Sequence, residues 1–190
     1  MNDYESALFK DKQIGFLIYL GAEAIMFTVL FATYLIFTPA EQGPHPTEVF
    51  KAVSVILSSF FLLSSSGTLI AAEKGLAKNN QRKFITWFAI TLLFAMIFLG
   101  LEIHEFYTFV SDGYGISVNV FMSSFYVLVG LHAAHVAFGI GWMIVLFIHY
   151  MRKIPMSLFR EKHKIFSYYW HFVDVIWVVI ILLVYLPYLL

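Results

Sequence analysis

The sequence predicts an all-α membrane protein, a bundle of five transmembrane helices, and three observations carry that prediction. Five apolar stretches, about residues 13–37, 49–72, 84–109, 117–150 and 165–189, each reach or exceed the ~20 residues that cross ~30 Å of hydrocarbon. Hydrophobic residues make up 61% of the chain and charged residues only 13%, against about 25% in soluble domains. Eleven of the twelve Lys and Arg residues fall on one side of the bilayer once those stretches are threaded through it. The runs are too long and continuous for barrel strands of ~10 alternating residues. Helices, by contrast, satisfy their own backbones in lipid.

The charge pattern orients each element in turn. Lys10 and Lys12 precede the first stretch, Lys74, Lys78, Arg82 and Lys83 lie between the second and third, and Arg152, Lys153, Arg160, Lys162 and Lys164 lie between the fourth and fifth. By the positive-inside rule these are cytoplasmic, so the N-terminus is expected inside and the C-terminus outside. The opposite connections hold Glu41, Glu48 and Asp112, and only Lys51 lies just inside the next stretch. The first stretch is too long for a signal-peptide core, and its flank mixes acid with base, so it is expected to remain in the mature protein.

Residues 38–48, with Pro39, Pro44 and Pro46, read as a stiff outer loop, and Asp112–Gly113–Tyr114–Gly115 as a tight turn. No repeat or long linker divides the chain, so residues 1–190 are expected to form a single domain. With no Cys, disulfides, thiolate metal sites and C-x-x-C-H haem attachment are excluded. Gly130, Ala133, Ala134, Ala137 and Gly141 make a small-residue packing face on the fourth helix. Ser58, Ser59, Ser64, Ser65 and Ser66 on the second can bond to their own helix or across to a neighbour. Tyr168, Tyr169 and Trp170 at one end of the last helix, and Tyr185 and Tyr188 at the other, read as interfacial belts.

Chemistry, if present, belongs to the ionisable groups inside the apolar stretches. Glu23 is near the centre of the first helix, Glu102, His104 and Glu105 are toward the end of the third, His132 and His135 are mid-fourth, and His171 and Asp174 are in the fifth. A charge at bilayer depth costs at least ~3 kcal/mol, so such residues are expected to face the interior and find partners. The pairs Glu102/Glu105, His132/His135 and His171/Asp174 are each three apart on one helix face. Three readings stand side by side: hydrogen bonds that set helix register, a proton-linked polar column, and a metal site of the carboxylate-bridged kind. Depth weighs against the metal, because a rise of ~1.5 Å per residue spreads Glu105, His132 and His171 over roughly 20 Å. Glu23 is expected to be a protonated carboxyl bonded to a histidine of another helix.

Four segments carry a resemblance. Tyr168–Tyr169–Trp170–His171–Phe172–Val173–Asp174–Val175–Ile176–Trp177 resembles the last-helix signature of subunit III of haem-copper terminal oxidases. Gly21–Ala22–Glu23–Ala24–Ile25–Met26–Phe27, Leu101–Glu102–Ile103–His104–Glu105–Phe106 and Gly130–Leu131–His132–Ala133–Ala134–His135–Val136 match further segments in the family's order. The chain is similar to the short, five-helix bacterial form, without the two extra N-terminal helices of longer members. Ala133 stands where the family usually has Gly, one methyl that shifts packing only slightly.

The resemblance implies an accessory subunit that holds no haem or copper, these belonging to subunit I. It would pack on subunit I alongside subunits II and IV, bind structural phospholipid, and support proton uptake by a complex that reduces O2 and pumps protons. It implies a multi-pass protein of the bacterial plasma membrane, with no catalytic, cofactor or metal residues of its own. Glu23, Glu102, Glu105, His132, His135, His171 and Asp174 would form its buried polar network. The alternative reading is a stand-alone membrane metalloenzyme or ion-coupled transporter using the same groups. Whether cytochrome c or a quinol donates electrons is not legible in this chain.

Overall fold

The computed structural model describes residues 3–38 and 44–189. Pro39 and Glu41 of the expected outer loop lie outside the described residues. The elements are α1 (Asp3–Ile36), α2 (Pro46–Val49), α3 (Ala52–Ala77), α4 (Gln81–Ser111), α5 (Val120–Met151), α6 (Met156–Ile180), a π-helical turn (Ile181–Tyr185) and α7 (Leu186–Leu189). Five spans are long and apolar enough to cross a membrane, the last running unbroken from Met156 to Tyr188.

Helix ends follow turn chemistry rather than hydropathy. Asn80 and Asn119 cap α4 and α5 by accepting from the backbone N–H of Lys83 and Met122 at 3.1 and 2.7 Å, which satisfies donors the helix cannot. Gly113, at φ +88°, supplies the left-handed residue of the α4–α5 turn. Two helices begin well before the expected boundaries: α1 at Asp3 and not near 13, and the last span at Met156 and not near 165. Arg160, Lys162 and Lys164 ended the apolar window, yet they sit on the helix, because long basic side chains carry their charge away from an apolar stem. Arg160 donates to Asn79 Oδ1 at 2.6 Å and to the Leu76 carbonyl at 3.2 Å, which also accepts from the Asn79 N–H at the end of α3.

That earlier start moves the middle of the span, and two expectations change with it. Recounted on the observed helices, His171 lies at mid-span and the depth from it to Glu105 shrinks to roughly 14 Å. The aromatic belt is corrected as well: Tyr169, Trp170 and Tyr185 are buried in the core. The interior, not the headgroup layer, is where their rings pack and where Tyr169 and Trp170 find partners for their polar tips.

α3 and α4 form an antiparallel hairpin in a single register. Gly75 meets Phe84, Thr68 Oγ1 lies 2.8 Å from Thr91 Oγ1, and Ser58 and Ser54 face Glu102 and Glu105. α4 also packs on α5, α5 on α6, and α6 on α3, closing a four-helix ring. α1 lies in the groove between α5 and α6. Phe27 enters that groove, with ring centroids 5.2 Å from His135 and 6.5 Å from Phe172.

Small residues matter at positions other than those expected. Ala134, Ala137 and Gly141 are exposed on this chain, Gly130 and Ala133 are half-buried, and nothing lies within 4 Å of a Cβ built on Gly141. The tight approach is at Gly139, where a Cβ would stand 2.6 Å from Trp170 Cζ3 and 3.2 Å from Tyr169 Cε1. The expected strip therefore looks outward, and α6 is seated one strip over. Gly139→Ala is predicted to destabilise the chain by about 1–3 kcal/mol through overpacking, read as a lower thermal midpoint in detergent. Gly67→Ala, at an open mid-helix position, is predicted not to lower the midpoint, since Ala favours the helix over Gly.

Candidate functional site

The polar residues of the spans gather in three places, each between a different pair of helices. The first joins α1 to α5, where Glu23 Oε2 lies 3.3 Å from His135 Nε2. His135 Nδ1 is 2.8 Å from the Leu131 carbonyl, one turn earlier on its own helix. A carbonyl only accepts, so Nδ1 carries hydrogen and donates. The bond to Glu23 then holds one proton, either on a carboxylic acid donating to Nε2 or on an imidazolium donating to a carboxylate. In both forms the pair has no net charge, which suits its depth. Tyr169 donates to the His135 carbonyl at 2.8 Å, tying α6 to the same turn.

The second gathering joins α3 to α6. Trp170 Nε1 donates to Ser65 Oγ at 3.0 Å and Trp177 Nε1 donates to Ser59 Oγ at 3.2 Å. Next to the first of these contacts, Ser66 Oγ lies 2.8 Å from His171 Nδ1. Asp174 Oδ2 is 3.9 Å from that nitrogen, too far for a hydrogen bond. Serine suits this seam because it is small enough for close helix approach and still accepts from an indole. Ser59 and Ser66 are two turns apart, so one face of α3 meets one face of α6.

The third is the face of α4 that carries Glu102 and Glu105, both buried, with Ser58 and Ser54 of α3 opposite. His104, between them, is exposed. His132 is buried, yet it joins none of these groups. Its ring stacks on Trp177 at 5.1 Å and meets Phe98 edge-on at 6.1 Å. The expectation that His132 and His135 present a pair to one neighbour is therefore corrected. Three residues of helix leave ~60° between side chains, enough to turn one toward α6 and the other toward α1.

Sequence reasoning missed several contributors. The interfacial-belt expectation hid the role of Trp170, and Trp177 stood only in the last-helix signature, although the run of serines on α3 offered acceptors for both indoles. Tyr185 is buried because the π-helical turn carries it inward, and Pro187 was the signal: its ring crowds the carbonyl four residues back and it offers no N–H. His163 is buried within rings of Phe84, Phe88, Phe159 and Phe166, at centroid distances of 5.4 to 6.4 Å. Among the described residues no three acids, imidazoles or thiols are grouped so as to hold a metal ion.

Fold and site together define a polytopic helical membrane protein whose intramembrane polar groups turn mainly toward other helices of the same chain. Comparison with known proteins narrows that class: the family described as cytochrome c oxidase subunit III matches residues 2–188, and the chain belongs to it. It is 42% identical over 180 residues to cytochrome c oxidase subunit 3 of Alkalihalophilus pseudofirmus, covering 93% of this chain and 87% of that protein. To cytochrome c oxidase subunit 3 of Bacillus sp. PS3 it is 40% identical, covering 93% and 86%. To quinol oxidase subunit 3 of Bacillus subtilis it is 36% identical over 185 residues, covering 97% and 91%. Five membrane-crossing helices and such relatives make it a multi-pass protein of the bacterial membrane.

The indole–serine seam sets the alignment of α6 on α3. A double-mutant cycle of Ser65→Ala and Trp170→Phe is predicted to give a coupling of about 0.5–1.5 kcal/mol, measured by unfolding in detergent. Additive losses would show that the bond contributes nothing to register.

Proposed function

We propose that this chain is the accessory subunit III of a respiratory haem-copper terminal oxidase, packing on the catalytic subunit I beside subunits II and IV. Membership of the subunit III family across nearly the whole chain carries this reading. The chemistry of the interior supports it. Glu23 and His171 are bonded to a histidine and a serine of neighbouring helices, His132 and His163 are enclosed by aromatic rings, and the outer surface is dominated by apolar side chains such as Ile18, Ile25, Val29, Val53, Ile56 and Phe60. The chain contributes shape and stability, while haem and copper reside in its partner. O2 reduction and proton pumping belong to the complex, and the buried polar groups stiffen the helices that flank its proton uptake. The family match gives no support to a stand-alone metalloenzyme or transporter.

In this reading the basic end of the bundle, with Lys78, Arg82, Arg152 and Lys153, faces the cytoplasm, and the end carrying Lys51 and Asp112 faces outward. A furrow of about 230 Å³ between α1 and α5, lined by Leu30, Thr33, Phe37, Val120, Ser123 and Val127, has the apolar walls that an acyl chain of a structural phospholipid requires. Subunits of both cytochrome c and quinol oxidases are similar to this chain, and the donor is set elsewhere in the complex.

Affinity purification of the tagged chain from membranes in mild detergent is predicted to bring down a haem-bearing subunit in equal amount, with the haem spectrum of an oxidase. Recovery of the chain alone with stoichiometric iron or zinc would overturn the assignment. Because the chain has no Cys, single-cysteine labelling reads its orientation directly. Gly113→Cys is predicted to react with an impermeant maleimide in intact cells and Lys153→Cys only after lysis; the reverse pattern would invert the topology.

A further inference from the structure

One buried cluster is left unused by the subunit's proposed role. Glu102 and Glu105 are 1% and 7% exposed, and they share a face of α4, close enough to repel each other. The third wall of their enclosure is Tyr185, 1% exposed, within electrostatic reach of both acids, with a hydroxyl that has no protein hydrogen-bond partner. Both oxygens of Glu102 and Oε1 of Glu105 are in the same condition. Phe50 and Phe125 complete the wall, with ring centroids 4.8 and 6.1 Å from that of Tyr185.

The backbone is bent to make this arrangement. Tyr185 ends the π-helical turn Ile181–Tyr185, a local register shift of the kind that recurs at functional sites. Tyr34 of α1 donates to the Val184 carbonyl at 3.4 Å, so its hydroxyl hydrogen is committed to the backbone and Tyr185 is left as the phenol facing the acids. The charged or titratable groups facing the cluster are Lys51 at the N-cap of α3 and, through Tyr185, Tyr34 on α1, which in turn faces Tyr188. Lys51 is largely exposed and lies 4.0 Å from Asp112, so no cation is enclosed with the two acids.

Two carboxylates in one largely apolar enclosure, with Lys51 held outside it, repel each other, and that repulsion disfavours ionising both. Two oxygen pairs, one phenol and the hydroxyls of Ser54 and Ser58 are instead the complement of a single mobile proton. We propose that Glu102, Glu105 and Tyr185 form an enclosed proton-binding site, in the half of the bundle nearer the Asp112 turn, where the carboxyls share one exchangeable proton and Tyr185 donates to the ionised partner. The site is built wholly from this chain, so it stands or falls separately from the identity of the neighbouring subunits.

Infrared difference spectra of the purified membrane complex containing this chain, recorded in H2O and D2O, test the proposal. The expected result is a protonated-carboxyl band that moves to lower frequency in D2O and loses one carboxyl's intensity in Glu102→Gln/Glu105→Gln. Tyr185→Phe, which removes only the donor, is expected to shift that band without abolishing it. This second variant stands in if the double variant fails to assemble. A spectrum unchanged in either variant overturns the proposal. So does loss of two protonated carboxyls, or loss of carboxylate bands alone together with release of a stoichiometric alkali or alkaline-earth ion.

Discussion

A carboxyl, imidazole or indole N–H in hydrocarbon has no water to turn to, and the bundle is arranged around that constraint. Its clearest expression is the seam where Trp170 and Trp177 of α6 donate to Ser65 and Ser59 of α3. Lipid tails are as apolar as the helices, so the hydrophobic effect cannot choose between alternative alignments of two spans. Hydrogen bonds at fixed spacing can. Sliding α6 by one residue would strand both indoles and lift His171 from Ser66. The same logic places α1, whose seating in the α5–α6 groove depends on Glu23 reaching His135 and on Phe27 filling the space beside them.

The three polar gatherings are held apart inside the bundle. Trp177 and Phe98 separate His132 from the acids of α4, and among the described residues no direct hydrogen bond joins the three polar gatherings into one column. What the bundle offers is a stiff scaffold with a broad apolar exterior and a few enclosed acids. In the proposed reading such a body serves a larger membrane complex as packing surface, and its enclosed acids serve as a place where a proton is held. Asp174, His132 and His163 also keep buried polar atoms without a protein partner, but only the acid pair with Tyr185 gathers several such atoms beside the place where the backbone departs from regular α-helix.

Much of the fold was legible in the sequence because its strongest signals are physical and local. Long apolar runs require helices, basic flanks mark one face of the bilayer, and Asp112–Gly113 reads as a turn. The boundaries were less legible, since Arg160 and Lys164 end an apolar window without ending a helix. The burial of Trp170 and Tyr185 was hidden for a related reason: an amphipathic ring looks the same in a sequence whether its polar tip meets headgroups or a serine. Glu23 and His135 could be recognised as intramembrane groups needing partners, and their pairing with each other required three-dimensional placement. Small-residue spacing pointed to the right helix and the wrong strip, because Gly139 is paired with large residues that no repeat announces.

A density map of the assembled complex in lipid tests the central claim most directly, that these polar groups answer to one another inside the bundle. The account predicts Glu23 within hydrogen-bonding distance of His135, the indoles of Trp170 and Trp177 on the α3 serines, and Tyr185 turned toward Glu102 and Glu105. Glu23 and the indoles pointing into acyl chains, or a transition ion coordinated between these helices, would contradict it.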